Sequence, residues 1–217
     1  MGLVLITTGS CFYCDKGQTS RCPEGMSFGT GKIPGCQAEY VRIPLADNIL
    51  WRQPEDIPES TLVLMADILP TGYFVASGAK RLMIEGESGR ATTGNLSADV
   101  ESTKEGVCVV VGCGPVGLCA ISSAVEMFDK VFATDLAEHR LEAARKHGAI
   151  ALPDGELQKA LLEATDGRGA DAVCEVVGHT DALLKAIELA RPFGVVSSCG
   201  VHSHPVTMSG YGLYAKK

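Results

Sequence analysis

The sequence predicts an α/β fold: a parallel sheet with helices on both faces over residues 101–217, preceded by a smaller cysteine-bearing region over residues 1–100. Three observations carry this. From residue 106 onward, apolar runs of strand length alternate with segments of helical periodicity. A glycine-rich turn joins the first such run to the first such helix. Near the N-terminus, three cysteines stand close together in a polar stretch.

The elements follow in order. GVCVVVG (106–112) is too uniformly apolar for a half-exposed strand, as expected of a parallel strand buried on both faces. The next helix places Ile121, Ala124, Val125 and Phe128 on one face. KVFATD (130–135) is a second strand, and the helix over 138–147 ends on Gly148, suited to a left-handed cap. Asp154 is positioned to cap a helix with Leu157, Ala160, Leu161 and Ala164 inward. ADAVCEVVG (170–178) is a strand. Thr180 starts a helix with Leu183, Ala186, Ile187 and Ala190 inward, stopped by Pro192, and GVVSSCGV (194–201) is the last strand. Alternation of this kind means a parallel sheet covered on both sides.

The first hundred residues lack this rhythm. AEYVRIPL (38–45) reads as a strand and residues 59–79 as a helical stretch. Residues 85–105, polar and rich in Gly, Ser and Thr, read as an exposed loop or linker.

Composition narrows the function classes. A chain of 217 residues with 46% hydrophobic and 21% charged residues has enough apolar material for a core. Its net charge of −7, without a run of Lys or Arg, argues against a nucleic-acid partner. Residues 107–125 are apolar over a membrane-spanning length, but Gly112, Gly114, Pro115 and Gly117 punctuate them as a strand–turn–helix, so no membrane partner is expected. The N-terminus has no basic flank and no adequate apolar core for a signal peptide. Nine cysteines without such a signal point to reduced thiols and the cytoplasm. Cys108, Cys119, Cys174 and Cys199 sit in apolar runs and read as small buried hydrophobes.

The turn Gly112-Cys113-Gly114-Pro115-Val116-Gly117 has G-x-G-x-x-G spacing between a buried strand and an amphipathic helix. Gly112 permits the tight turn, Gly114 admits a pyrophosphate to the backbone, and Gly117 allows close helix–strand packing. The helix N-terminus offers free N–H groups to the phosphates, and Pro115 suits its first position. Asp135 ends the second strand, where a carboxylate accepts hydrogen bonds from the adenosine ribose and repels a 2′-phosphate, favouring NAD over NADP. Arg140, one turn into the next helix, either reaches the ribose or is solvated. The pattern is that of a Rossmann-type domain.

Cys11, Cys14 and Cys22 stand at C-x2-C-x7-C spacing. A structural zinc wants four ligands, and three residues before Cys11 lies Thr8, a poor one. Three thiols without a metal are the competing reading.

Together these residues resemble the zinc-containing alcohol dehydrogenases of the medium-chain dehydrogenase/reductase superfamily. The resemblance rests on the cysteine lobe, GCQAEYVRIPLAD, DILPTGY, VVVGCGPVGLCA followed by ATD, GADAVCEVVG and SSCGVHS, and it covers nearly the whole chain. It implies that residues 1–100 are part of a β-rich, GroES-like catalytic domain and residues 101–217 the NAD-binding domain. It implies NAD and zinc as cofactors, a small-molecule alcohol or aldehyde as substrate, and a homo-oligomer. It places a structural zinc at Cys11, Cys14 and Cys22, lacking one ligand at Thr8. Asp67 falls at the third protein ligand of the catalytic zinc, with a plain helix-end carboxylate as the alternative, and Thr71 falls near the nicotinamide. Cys199, Gly200 and Val201 match the strand end that contacts the carboxamide.

In the family the other two catalytic zinc ligands lie upstream of the cysteine lobe, and the chain continues past the last residues seen here. The sequence therefore resembles the middle of a dehydrogenase lacking both ends, with residues 1–100 expected to be the less stable half. His202 and His204 form an H-x-H pair, read as ordinary loop histidines rather than replacement metal ligands; His139, His147 and His179 read as surface residues. Three functions stay open: an NAD-dependent zinc-type alcohol dehydrogenase, a non-catalytic NAD-binding remnant or interaction module, and a zinc-independent NADPH reductase, the last disfavoured by Asp135 and the cysteine lobe.

Overall fold

The computed structural model describes residues 5–88 and 104–216, which form two compact units, Met1–Asp67 and Ile68–Lys217. In the first, β1 (Leu5–Ile6) pairs antiparallel with β2 (Met26–Ser27). Between them lie α1 (Phe12–Asp15) and a 3-10 turn (Thr19–Arg21), and α2 (Glu59–Met65) follows later. Among the described residues this is less strand than the β-rich expectation. Residues 38–45 form no strand; Tyr40 and Val41 are exposed. Their alternation is genuine, but a strand exists only where a neighbour supplies its hydrogen bonds.

The second unit begins with α3 (Ile68–Ser88). Pro70 does not stop it, because in the first turn its missing N–H has no intrahelical acceptor to lose. The helical stretch expected over 59–79 is therefore two helices, and the second runs to Ser88, into the expected linker. The rest of that linker, residues 89–103, lies outside the described residues.

The sheet follows with β3 (Val107–Val111), α4 (Pro115–Met127), β4 (Lys130–Thr134), α5 (Glu138–Lys146), β5 (Ile150–Ala151), α6 (Asp154–Ala164), β6 (Ala170–Glu175), α7 (Thr180–Leu189), β7 (Ala190–Ser198) and α8 (Gly210–Tyr214). The five strands are parallel in the order β5-β4-β3-β6-β7. The chain thus starts in the middle, winds outward to β5, and returns to the other side of β3, the doubly wound arrangement. Alternation along β3 divides the core. Cys108 and Val110 point into one layer with Ile121, Ala124 and Leu141, whereas Val109 and Val111 point into the other with Leu157, Leu161 and Ala186. Each fully buried Val or Leu contributes about 1.5–3 kcal/mol.

The boundary between the units, Asp67/Ile68, falls well before the expected one at residue 100 because α3 belongs to the first of these layers. Val75, Ala76, Ala79 and Met83 are buried there. A Cβ on Gly72 would come within 2.6 Å of Ala120 N and of Cys119 Cβ, so α3 and α4 approach to backbone distance at that glycine. Lys80, fully buried, directs its ammonium to the carbonyl and carboxylate of Glu105 (3.3 and 3.2 Å) and lies 5.4 Å from the Phe128 ring centre.

Smaller differences have local causes. Gly148 adopts the left-handed conformation expected (φ +94°). Pro153, not Asp154, holds the cap position of α6, and Asp154 is its first residue. α7 stops at Leu189, and Pro192 lies within β7, an edge strand where its missing N–H forfeits no ladder bond on the open side. Strand β5 was not expected; two residues are too few for a periodic signal. Among the described residues no single helix is long and apolar enough to cross a membrane.

Candidate functional site

Strands β3 and β6 are neighbours whose following helices leave in opposite directions, so a crevice opens beyond their carboxyl ends. The glycine turn lies at this point. Gly112 has φ +100°, and a Cβ there would stand 2.6 Å from Val177 Cγ2. Gly117 is tighter: its Cβ would lie 2.0 Å from the Gly112 carbonyl oxygen, so only hydrogen lets α4 leave the strand this closely. Gly114 is the opposite case. A Cβ there would meet nothing within 4 Å, leaving open space over the backbone. Gly114 is also the N-cap of α4 and supplies no side-chain cap, and Pro115 is the first helical residue. The donors at this end of a thirteen-residue helix are therefore available to an anion.

Cys113 is buried, and its thiol donates to the Thr134 carbonyl (3.5 Å). Burial, assisted by the charge of Asp135, pushes its pKa up to about 12, so it is a packed thiol and no nucleophile. Asp135, just past β4, closes this side. Its Oδ2 accepts from Cys113 N (2.9 Å) and lies 3.5 Å from Arg140 Nη1, while Oδ1 accepts from Ala137 N (3.0 Å). Burial alone would raise its pKa, but the two amide donors and the guanidinium outweigh that and hold it below the ordinary value. Arg140 is thus neither simply solvated nor independent: it is the ion partner of Asp135.

The opposite wall was not legible as a site. Glu175 ends β6 fully buried. Its Oε1 accepts from Val177 N (2.8 Å) and Gly178 N (2.7 Å), and its Oε2 accepts from Ser198 Oγ (2.6 Å) and lies 3.3 Å from His202 Nε2. Cys199 N also donates to the Glu175 carbonyl (3.0 Å). One carboxylate thus ties the loop after β6 to the end of β7. The two backbones touch there, since a Cβ on Gly200 would lie 2.1 Å from Gly178 N. His202 is therefore not an ordinary loop histidine: its Nε2 faces this carboxylate, and its buried Nδ1 has no partner among the described residues. The available signal was an acidic residue at the carboxyl end of a largely apolar parallel strand, rarely buried without partners.

Cys199 and Gly200 are half-buried beside this clamp, and Val201 is exposed. Burial, then the neighbouring Cys174 and Glu175, push the Cys199 thiol up to about 11. Thr71 is a partly buried residue in the first turn of α3. Asp67 is the partly buried last residue of the other unit; among the described residues it joins no group of three or more metal-type side chains.

Such a group forms at the cysteine lobe. The sulfurs of Cys11, Cys14 and Cys22 all lie within 4.8 Å of one another, with Cys11 and Cys14 3.5 Å apart. Cys11 caps α1, accepting from Cys14 N at 3.5 Å. Hydrogen bonds from the backbone and hydroxyl of Thr8 lower the Cys22 pKa to about 7. At Cys11 the Cys14 amide acts in the same sense, but burial and the neighbouring thiols prevail and the pKa is raised. Three sulfurs this close together are a donor set suited to a soft divalent ion. Cys36, also in this unit, is exposed and does not join the group.

The sequence profile of the zinc-binding dehydrogenase family matches residues 115–217. The zinc-type alcohol dehydrogenase B of Aspergillus flavus is 45% identical over 96% of this chain, and the medium chain reductase/dehydrogenase ucsI of Acremonium sp is 44% identical over 96%. The chain spans 46% and 68% of the lengths of these two relatives. The solved alcohol dehydrogenase TADH of Thermus sp. ATN1 superposes with a TM-score of 0.80 at 30% identity, covering 99% of this chain and 60% of that one.

Proposed function

The chain belongs to the medium-chain reductase/dehydrogenase family, and from that premise we propose that it is of the zinc-type alcohol dehydrogenase kind and that its Ile68–Lys217 unit binds NAD to serve the oxidation of a small alcohol to an aldehyde or ketone, or the reverse. The observation that carries this is the Gly112–Gly117 turn, open above Gly114 and closed at Gly117, with a charged Asp135 beside it. NAD, when bound, supplies the hydride acceptor. The chain's own residues do the holding: the free N–H groups at the start of α4 take the pyrophosphate, and Asp135 takes the ribose hydroxyls. The clamp at Glu175 keeps Cys199, Gly200 and Val201 at the edge of the crevice, where their backbone would meet the carboxamide. Thr71 is assigned to the nicotinamide side.

The test is a fluorescence titration with NADH and NADPH. NADH is expected to bind more tightly by at least about tenfold, equivalent to about 1.4 kcal/mol, because Asp135 accepts a charge-assisted hydrogen bond from the ribose and repels a 2′-phosphate. Asp135→Asn is expected to remove most of that preference. Equal affinity for the two cofactors in the native chain would overturn the assignment of Asp135. The pH dependence has a definite sign. The folded pKa of Asp135 is depressed, so its ionised form stabilises the fold above the ordinary carboxylate value and the contribution is lost as pH falls through the folded value. NADH affinity is therefore expected to stay flat from about pH 8 to about pH 5 as far as Asp135 is concerned.

For a catalytic zinc the described residues do not fit. Asp67 is the one assigned ligand, and a single carboxylate makes no site, so no step is derived through that metal. The second reading is an NAD-binding module without turnover of its own. Turnover of primary and secondary alcohols by a preparation that binds NADH separates the two. The cysteine lobe does fit a zinc-class ion by its three thiols, and self-association and a cytoplasmic setting complete the proposal, to be checked by sedimentation and by localisation of the tagged chain.

A further inference from the structure

The side chain of Thr8 stands beside two of the three thiols of the lobe. For a tetrahedral zinc with bonds of about 2.3 Å to sulfur and about 2.0–2.2 Å to oxygen, neighbouring corners lie about 3.8 Å apart between two sulfurs and about 3.5–3.7 Å apart between sulfur and oxygen. Thr8 Oγ1 is 3.6 Å from Cys22 Sγ and 3.9 Å from Cys14 Sγ. It is thus spaced from these two thiols as a fourth corner is.

Its position is held from the backbone rather than by chance of rotamer. Asn48 Nδ2 donates to the Thr8 carbonyl (2.8 Å) across forty residues of sequence. The following Gly9 is left-handed (φ +74°), and a Cβ there would lie 2.8 Å from Asn48 Oδ1. Any other residue at position 9 would displace the contact that fixes Thr8. Thr8 is only half-buried, so the corner is reachable from solvent.

We propose that Thr8 Oγ1 is the fourth donor of a three-thiolate, one-hydroxyl centre for a zinc-class ion at Cys11, Cys14 and Cys22, and that this corner exchanges with an external thiol. A neutral hydroxyl is a weak ligand beside three thiolates, so the centre has the closed geometry of a structural site but the exchangeable position of an open one. An entering thiol would give its proton to solvent and take the position as a thiolate, and Thr8 Oγ1 would leave it as a neutral alcohol. No electron moves and no oxidant is needed. The proposal is independent of cofactor binding, which NADH titration reads separately.

The experiment is cobalt(II) titration of the full chain, native and with Thr8→Val or Thr8→Cys, followed by absorbance. The native chain is expected to bind one equivalent with a tetrahedral ligand-field spectrum and thiolate-to-cobalt charge transfer. Added mercaptoethanol should shift the ligand-field envelope and strengthen the charge transfer. Thr8→Val, nearly isosteric, is expected to bind at least about tenfold more weakly, the scale on which ligand-sphere changes alter metal affinity. Thr8→Cys should bind more tightly than the native chain, show the stronger charge transfer without added thiol, and no longer respond to mercaptoethanol. A Thr8→Val protein matching the native one in affinity and spectrum overturns the hydroxyl ligand. A native chain that gives no tetrahedral cobalt spectrum overturns the centre, and equal mercaptoethanol responses in native and Thr8→Cys proteins overturn the exchange.

Discussion

Replacing Glu175 with alanine is expected to destabilise the Ile68–Lys217 unit by about 3–5 kcal/mol, the cost of removing one member of a buried charged network. The side chain is fully buried and is the common acceptor for Val177 N, Gly178 N and Ser198 Oγ, with His202 Nε2 beside it. Truncation leaves those donors without a partner, and each buried unsatisfied group costs about 1–3 kcal/mol. At about 2–4 °C per kcal/mol for a domain of this size, the melting temperature should fall by roughly 6–20 °C. NADH affinity should fall with it, because the loop after β6 and the end of β7 are no longer tied. Glu175→Gln separates the charge from the connectivity. Its carbonyl still accepts from the Val177 and Gly178 amides and its NH2 can donate to Ser198, so it should recover about half of the loss. Thermal melts and urea midpoints of the three proteins check this. An alanine variant melting within a few degrees of the native chain would show that the carboxylate is not what joins the two walls.

The second large effect contrasts two glycines three residues apart. Gly117→Ala places a Cβ 2.0 Å from the Gly112 carbonyl oxygen, a backbone atom that cannot rotate away. Overpacking of ordinary cores costs about 1–3 kcal/mol, and a clash with backbone is expected to exceed that range. α4 must then separate from β3 at the centre of the sheet, so the variant should be recovered largely unfolded. Gly114→Ala meets nothing within 4 Å, and its backbone is in the extended region that alanine adopts without strain (φ −72°). It should melt with the native protein yet bind NADH at least about tenfold more weakly, since the methyl fills the space a pyrophosphate needs. A Gly114→Ala protein that is fully stable and binds NADH normally would be inconsistent with a pyrophosphate at this turn.

The two halves of the chain were unequally legible, for a physical reason. Parallel strands buried on both faces are written as unbroken apolar runs. Val107–Val111, Lys130–Thr134 and Ala170–Glu175 could therefore be placed from local pattern, as could the helices whose inward stripes lie between them. Residues 38–45 carried an equally plausible strand pattern and failed, because pairing is a property of two segments and only one is visible in a window. The unit boundary moved from residue 100 to Asp67 for the same kind of reason. α3 looked like part of the first region by sequence position, but its small residues, Gly72 above all, pack on α4.

At the candidate sites the division repeats. The Gly112–Gly117 turn, Asp135 and the three cysteines are local spacings, and the sequence alone determined them along with the class of fold. Tertiary structure alone decided which groups meet across the chain. Glu175 and His202 are brought together by the adjacency of β6 and β7. Arg140 is turned onto Asp135 by the start of α5. Asn48 holds the Thr8 backbone beside the thiol cluster. Each of these is a polar contact whose energy depends on distance and exclusion of water, quantities that no spacing along a chain encodes.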